Sequence, residues 1–451
     1  MKIHFISIGG SVMHNMAIAM QEQGHIVSGS DDEIFEPALS RLNAKHILPV
    51  KLGWFPEKIT ADIDMIILGM HARIDNPELL KAQELRLKIV SFPEFVYLNS
   101  QDKMRIVVAG SHGKTTITSM IMHVFRDCKK DFDYLVGSSV DGFENSFKIT
   151  SSATSIIIEG DEYLSSAVNP EPKFLWYRPH IAVISGIAWD HANVFPTYDI
   201  YRNQFEKFIG SLPDNARLVY CADDRDLCEM VKNYKHIHKE EYGYPDYTTD
   251  NSIFYLNTGS NRKIALKVNG SHNLMNIEAA RMVCMNSGIA EDDFYNSIKD
   301  FKGAGKRLEK IAENEKLIIF RDFAHAPSKV RATIEGVKMQ FPDKKIFAFF
   351  ELHTYSSLNS DFMPQYADSM NMAHLACVFI SEKAIEIKKA RMPEDTFVRE
   401  SFNNPELQII HSKAQLIGTI ESVRNQEGVL LLMSSGNFDG INNEMITEIL
   451  M

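Results

Sequence analysis

The clearest chemistry in the chain lies in ten consecutive residues, Val107-Val108-Ala109-Gly110-Ser111-His112-Gly113-Lys114-Thr115-Thr116. An apolar run enters a glycine turn, and from Thr115 onward Ile117, Ile121 and Val124 recur at helical spacing. A strand, a glycine loop and a helix start in that order bind phosphate through backbone N–H groups and the helix N-terminus. In such a loop Lys114 reaches the outer phosphates of a nucleoside triphosphate, and the Thr115 hydroxyl ligates Mg²⁺. The usual pattern has a further glycine five positions before Gly113, where Val108 stands, so this is a shortened G-x-x-G-K-T-T loop.

Acidic residues recur where such a cation would need them. The apolar run Ser155–Ile158 ends in Glu159-Gly160-Asp161-Glu162-Tyr163, and His180–Ser185 is followed by Trp189-Asp190-His191. Taken singly, each is as readily a cap or a surface charge. At the carboxyl ends of neighbouring parallel strands, however, these carboxylates and imidazole would face the phosphate loop. With Lys114 and Thr115 they suit a Mg²⁺ site, although histidine is an unusual partner for that hard cation.

A second glycine turn, Gly9-Gly10-Ser11, follows the apolar run Ile3–Ile8. A helix from about Val12 comes next, and then Ile26–Ser28 closing on Gly29-Ser30-Asp31-Asp32. A glycine turn with an acid some twenty residues on resembles a dinucleotide fingerprint, but Val12 and Met13 replace its third glycine. An NAD site, a site for another nucleotide's diphosphate and a purely structural turn all fit that pattern.

The elements that must position these residues alternate from end to end. Strand-like runs such as Lys2–Ile8, His25–Ser28, Asp64–Leu68 and Arg105–Ala109 are separated by helical patterns such as Met13–Gln23. The expected fold class is therefore α/β with mostly parallel sheets. Breaks at Leu98–Lys103 and at the glycine-containing hinge Phe301–Lys306 divide 451 residues into three units, expected at 1–102, 103–304 and 305–451. Lys plus Arg is 48 against 59 Asp plus Glu, a net charge of −11 that leaves no basic surplus for a general nucleic-acid binder. Five scattered cysteines without a C-x-x-C pair argue for reduced thiols rather than a disulfide framework or a zinc knuckle. No apolar stretch is long enough to span a bilayer, and Met1–Gly10 lacks the features of a signal peptide, so a cytoplasmic location is expected.

Nine motifs in order make the chain resemble the Mur ligases of peptidoglycan metabolism. They are Ile6–Met13, Gly29-Ser30-Asp31, Asp75-Asn76-Pro77, the G-S-H-G-K-T-T loop, E-G-D-E-Y, D-H-A-N-V-F, G-S-H-N-L-M-N, K-R-L-E and D-F-A-H-A-P. The resemblance implies an N-terminal Rossmann-like domain for a UDP-sugar, a central P-loop ATPase domain, and a C-terminal Rossmann-like domain that closes over the substrates. It also implies ATP and Mg²⁺ as cofactors and an acyl phosphate attacked by an amine. By motif, Gly9, Gly10, Ser11, Met13 and Asp31 would hold the uridine diphosphate, with His71 and Asn76 nearby. Gly110 to Thr116, Asn273, Asn276, Arg307 and Asp322 would bind ATP, and Thr115, Glu159 and His191 would hold Mg²⁺. His325 would sit near the incoming amine.

Gln204 stands where some relatives carry a carbamylated lysine, which puts the chain with the branch that uses UDP-N-acetylmuramate. Two acceptors are open within that branch, L-alanine and a ready-made murein tripeptide. Phe35–Ala38, Glu162-Tyr163, Pro172–Pro179 and Arg321–His325 look more like the tripeptide user, and Leu352–Tyr355 like the alanine user. Two departures stand out. Gly186 replaces an asparagine before D-H, and Ala326 replaces the second histidine of H-H-P.

Overall fold

The computed structural model describes residues 1–138, 140–259, 262–305 and 307–450; Lys306, in the expected hinge and the K-R-L-E motif, lies outside them. The first sheet is wholly parallel, in the order β2-β1-β3-β4, from β1 Lys2–Ile6, β2 Ile26–Ser30, β3 Met65–Leu68 and β4 Ile89–Ser91. The first strand stops two residues before the expected Ile8. Ser7 takes a left-handed turn (φ 68°), and its N–H bonds the Ser30 carbonyl. Gly29 is needed beside that turn, because a Cβ there would lie 2.6 Å from Ile8 Cδ1.

The second sheet holds β5 Met104–Ala109, β6 Asp133–Leu135, β7 Phe147–Lys148, β8 Ser155–Glu159, β9 Ile181–Ile184, β10 Arg217–Cys221 and β11 His238–Tyr242. Its order is β11-β10-β9-β5-β8-β6-β7, parallel except for β7. The central strands β5, β8 and β9 read as unbroken apolar runs because helices cover both faces: Ile106, Val107, Ile157, Ile158 and Val183 are fully buried.

A small antiparallel sheet follows, β12 Tyr247–Asp250, β13 Ile253–Asn257 and β14 Lys263–Ala265. The last sheet has the order β15-β16-β20-β17-β18-β19, from β15 Glu309–Glu313, β16 Leu317–Asp322, β17 Lys345–Glu351, β18 Leu375–Phe379, β19 Gln408–Ile410 and β20 Gly428–Met433. Only β15 runs antiparallel there. Alternate residues feed two cores: Ile318, Phe320, Ala348 and Phe350 on one face, and Leu317, Ile319, Phe347 and Phe349 on the other.

Packing groups these sheets into two compact units. One comprises residues 1–187, 203–242 and 279–294 and carries the first two sheets; the other comprises 188–202, 243–278 and 295–451 and carries the last two. Among the described residues no helix is long and apolar enough to cross a membrane. All five cysteines are free thiols.

Candidate active site

The sheet order puts β5 at the centre of the second sheet, and its carboxyl end opens into Gly110, Ser111, His112 and Gly113 before the helix Lys114–Asp127. Gly110 has φ 120°, and a Cβ there would lie 2.5 Å from Ser185 Oγ, so only glycine fits. Gly113 (φ 65°) caps the helix without a side-chain hydrogen bond, leaving the helix N-terminus open to an anion. The loop is pinned from β9: Ser111 N and Oγ donate to the Gly186 carbonyl (2.9 and 3.1 Å), and the Ser185 hydroxyl donates to the His112 carbonyl.

Lys114 Nζ donates to the Gly110 carbonyl and to Glu162 Oε2, both at 2.7 Å. Burial works against its charge, but Glu162, Asp161 and Glu159 outweigh it and hold the ammonium above its ordinary range. Next to it, Thr115 Oγ1 donates to Glu159 Oε1 at 2.7 Å, while Glu159 Oε2 accepts the Gly137 N–H. Thr116 is buried in the same helix turn. The structure thus brings Lys114, Thr115 and Glu159 together. The remaining expected metal ligand, His191, belongs to the other unit. Among the described residues no three His, Cys, Asp or Glu side chains converge as a metal cage. Mg²⁺ seldom uses one, since it keeps waters and shares substrate phosphates. The hydroxyl and carboxylate of Thr115 and Glu159 are hard oxygen donors that fit it.

At the amino-terminal glycine turn the helix Ser11–Glu22 starts from Gly10, again without a side-chain cap, and Met13 is buried beneath it. Asp31 shapes this turn. Its carboxylate accepts N–H bonds from Gly9 (2.7 Å) and Asp32 (3.0 Å), and burial raises its pKa to about 6. His71 follows β3; its pKa is lowered by desolvation and by the charge of Lys173. The Asn76 side chain is spent locally: its Oδ1 caps the helix Pro77–Glu84 through Glu78 N and Leu79 N.

In the second unit, Asp190 is buried and contacts Lys329 Nζ at 2.8 Å and His325 Nε2 at 3.9 Å. Burial opposes its charge, yet Lys329, His191 and His325 hold the carboxyl well below its usual range. His191 takes a left-handed conformation (φ 58°) with its N–H on Asp190 Oδ1. His325 Nδ1 bonds the Phe323 carbonyl, an acceptor only, so the proton sits on Nδ1 and Nε2 carries the lone pair. Burial and the Lys329 charge depress its pKa to about 3.

The Arg307 guanidinium lies 4.5 Å over the Phe323 ring. Asp322 accepts from Leu308 N, Ala324 N and the Thr333 hydroxyl, which makes it an anchor for the turn after Arg307. Asn276 donates to Asn273 Oδ1 (3.0 Å), and Asn273 donates to the Asn269 carbonyl, a buried amide pair at the start of the helix His272–Asn286. Sequence reading missed two buried pairs, Lys329 with Asp190 and Lys173 with Asp161 (2.7 Å). The available signal was a lysine inside Pro172–Pro179 and another two residues after the D-F-A-H-A-P motif.

Known proteins resemble this chain in sequence and in fold. The pattern of the Mur ligase family catalytic domain matches residues 2–102, and that of the Mur ligase middle domain matches residues 108–284. A UDP-N-acetylmuramate–L-alanine ligase of Clostridium kluyveri is 32% identical over 375 residues, 79% of this chain and 78% of that protein. Two crystal structures share the fold along nearly the whole length. One is a UDP-N-acetylmuramate-alanine ligase of Thermotoga maritima (TM-score 0.71, 20% identity, 99% of each chain). The other is a murein peptide ligase of Psychrobacter arcticus (TM-score 0.65, 21% identity, 100% of this chain and 98% of that one). The chain belongs to the Mur ligase family, ATP-dependent enzymes that form carbon–nitrogen bonds.

Proposed function

We propose that this protein joins an amine to the lactyl carboxylate of UDP-N-acetylmuramate through an acyl phosphate, at the expense of ATP, and that the acceptor is a murein tripeptide. The observation that carries this reading is the pairing of Lys114 with Glu162 and of Thr115 with Glu159 around an open glycine loop. In this reading residues 1–102 bind the UDP-sugar, 103–304 the ATP, and 305–451 the acceptor.

The steps follow from those groups. A sugar carboxylate oxygen attacks the γ-phosphorus, the bond to the β–γ bridging oxygen breaks, and ADP leaves. Lys114 and the N–H groups of the loop hold the phosphate oxygens as charge builds between two anions. Thr115 and Glu159 would hold Mg²⁺, which would supply positive charge to the phosphates. The amine nitrogen then adds to the acyl carbon, and the tetrahedral species expels inorganic phosphate to leave the amide. Neutral His325 offers the Nε2 lone pair to the N–H bonds of the incoming amine, and Arg307 serves the nucleotide.

The tripeptide is favoured by Pro172–Pro179 and Arg321–His325, with Arg321 held by Asn443 and the Ile441 carbonyl. L-Alanine is the second reading, favoured by the name of the Clostridium kluyveri relative. Turnover with UDP-N-acetylmuramate, ATP and each acceptor in turn separates them. The tripeptide is expected to give the higher kcat/KM, and preference for L-alanine would overturn that choice.

A further inference from the structure

Lys173 is a buried cation that the loop chemistry above does not use. It opens the short helical turn Lys173–Trp176, and the segment before it doubles back so that the lysine lands beside the acids that follow β8. Lys173 N donates to the Tyr163 carbonyl (2.9 Å), Phe174 N to the Asp161 carbonyl (3.3 Å) and Ser165 N to the Glu171 carbonyl (2.8 Å). Nζ stands 2.7 Å from Asp161 Oδ2 and lies over the Phe92 and Tyr163 rings, 5.3 and 5.6 Å from their centroids.

Only 6% of the residue is exposed, and among the described residues Asp161 is the one hydrogen-bond acceptor of an ammonium that carries three N–H donors. Aromatic faces attract the charge but accept none of those protons in an ordinary hydrogen bond. Buried donors without acceptors cost free energy, so the position is built to receive an anion. Its surroundings say which one. Glu162, the residue after Asp161, holds Lys114 of the phosphate loop. Phe92 starts the helix after β4, and the Lys173 charge is felt by His71 after β3, at the glycine-turn end of the first sheet.

We propose that Lys173 is the receptor for the carboxylate of the sugar acid, the binding residue that holds this anion beside the phosphate loop and selects a sugar bearing it. The inference rests on the proposed function and adds the group that recognises the reacting end of the sugar. One carboxylate oxygen takes N–H bonds from Nζ, the other is left for phosphorus, and Asp161 keeps the ammonium in place.

Calorimetric titration of the full-length protein tests this with two ligands, UDP-N-acetylmuramate and UDP-N-acetylglucosamine, which lacks the lactyl carboxylate. Lys173→Met should weaken UDP-N-acetylmuramate by about 10- to 100-fold, the worth of a charged hydrogen bond, and leave UDP-N-acetylglucosamine within about twofold. The double variant Lys173→Met/Asp161→Asn, which strands no carboxylate, should show the same selective loss. Equal weakening of both ligands, or no weakening of either, overturns the assignment of Lys173. A wild-type protein that bound neither UDP-sugar would overturn the underlying function itself.

Discussion

Lys114 lies between the Gly110 carbonyl and Glu162, and three carboxylates keep its ammonium charged against the cost of burial. In the proposed function it meets phosphate charge, so Lys114→Ala should cut kcat by about a hundredfold to a thousandfold. UDP-N-acetylmuramate affinity should stay within about twofold, and joint loss of turnover and sugar binding would show that the two sites are misplaced. His325 gives a pH test. Its pKa is about 3 when folded against 6.5 for a free side chain, so the folded state binds fewer protons in that window. Stability is therefore lost as pH falls from about 6.5 toward 3. Between pH 7 and 5 the wild type should lose about 2 kcal/mol more than His325→Gln, read from urea midpoints. The phosphate loop was legible in the sequence because its parts are consecutive. Lys173–Asp161 and Lys329–Asp190 were not, because their partners stand 12 and 139 residues apart and only the folded sheets join them.

Strands β5, β8 and β9 were visible because burial on both faces leaves continuous apolar runs ending in Gly110, Glu159 and Ser185. The antiparallel sheet β12–β14 was not, since its strands are short and partly exposed. One marker of it is the two-residue turn Asn251-Ser252, with both residues left-handed (φ 48° and 62°). Asp322 and Asn76, both expected at ligand sites, each accept backbone N–H bonds that shape the chain. Asn76→Ala should cost about 1 kcal/mol in thermal or urea unfolding as a lost helix cap. Gly110→Ala forces a side chain into a left-handed position against Ser185, and should cost roughly 1–3 kcal/mol of stability. It should also weaken ATP at least about tenfold by calorimetry, because the loop can no longer seat its N–H groups. An alanine loop that binds ATP normally would contradict the geometry described here.

The molecule carries a net charge of −11, yet buried or part-buried cations stand among the candidate residues of each unit, Lys114 and Lys173 in the first, and Arg307, Arg321 and Lys329 in the second. An acidic protein that concentrates positive charge at strand ends is suited to anionic small molecules rather than to a nucleic-acid backbone. Family membership and the three large sheets were foreseeable from the ordered motifs; the grouping of residues 243–278 with the last sheet was not, because no composition change marks it. UDP-N-acetylmuramate at about 100 times its Kd should stabilise the wild type by about 2.7 kcal/mol, and Lys114→Ala by a similar amount. The central chemical claim is that the sugar carboxylate takes the phosphoryl group and then gives up one oxygen with it. Ligation with ¹⁸O in both oxygens of the lactyl carboxylate reads this directly by mass spectrometry of the released phosphate. One ¹⁸O atom in each phosphate is the predicted result; unlabelled phosphate accompanying amide formation would contradict the account.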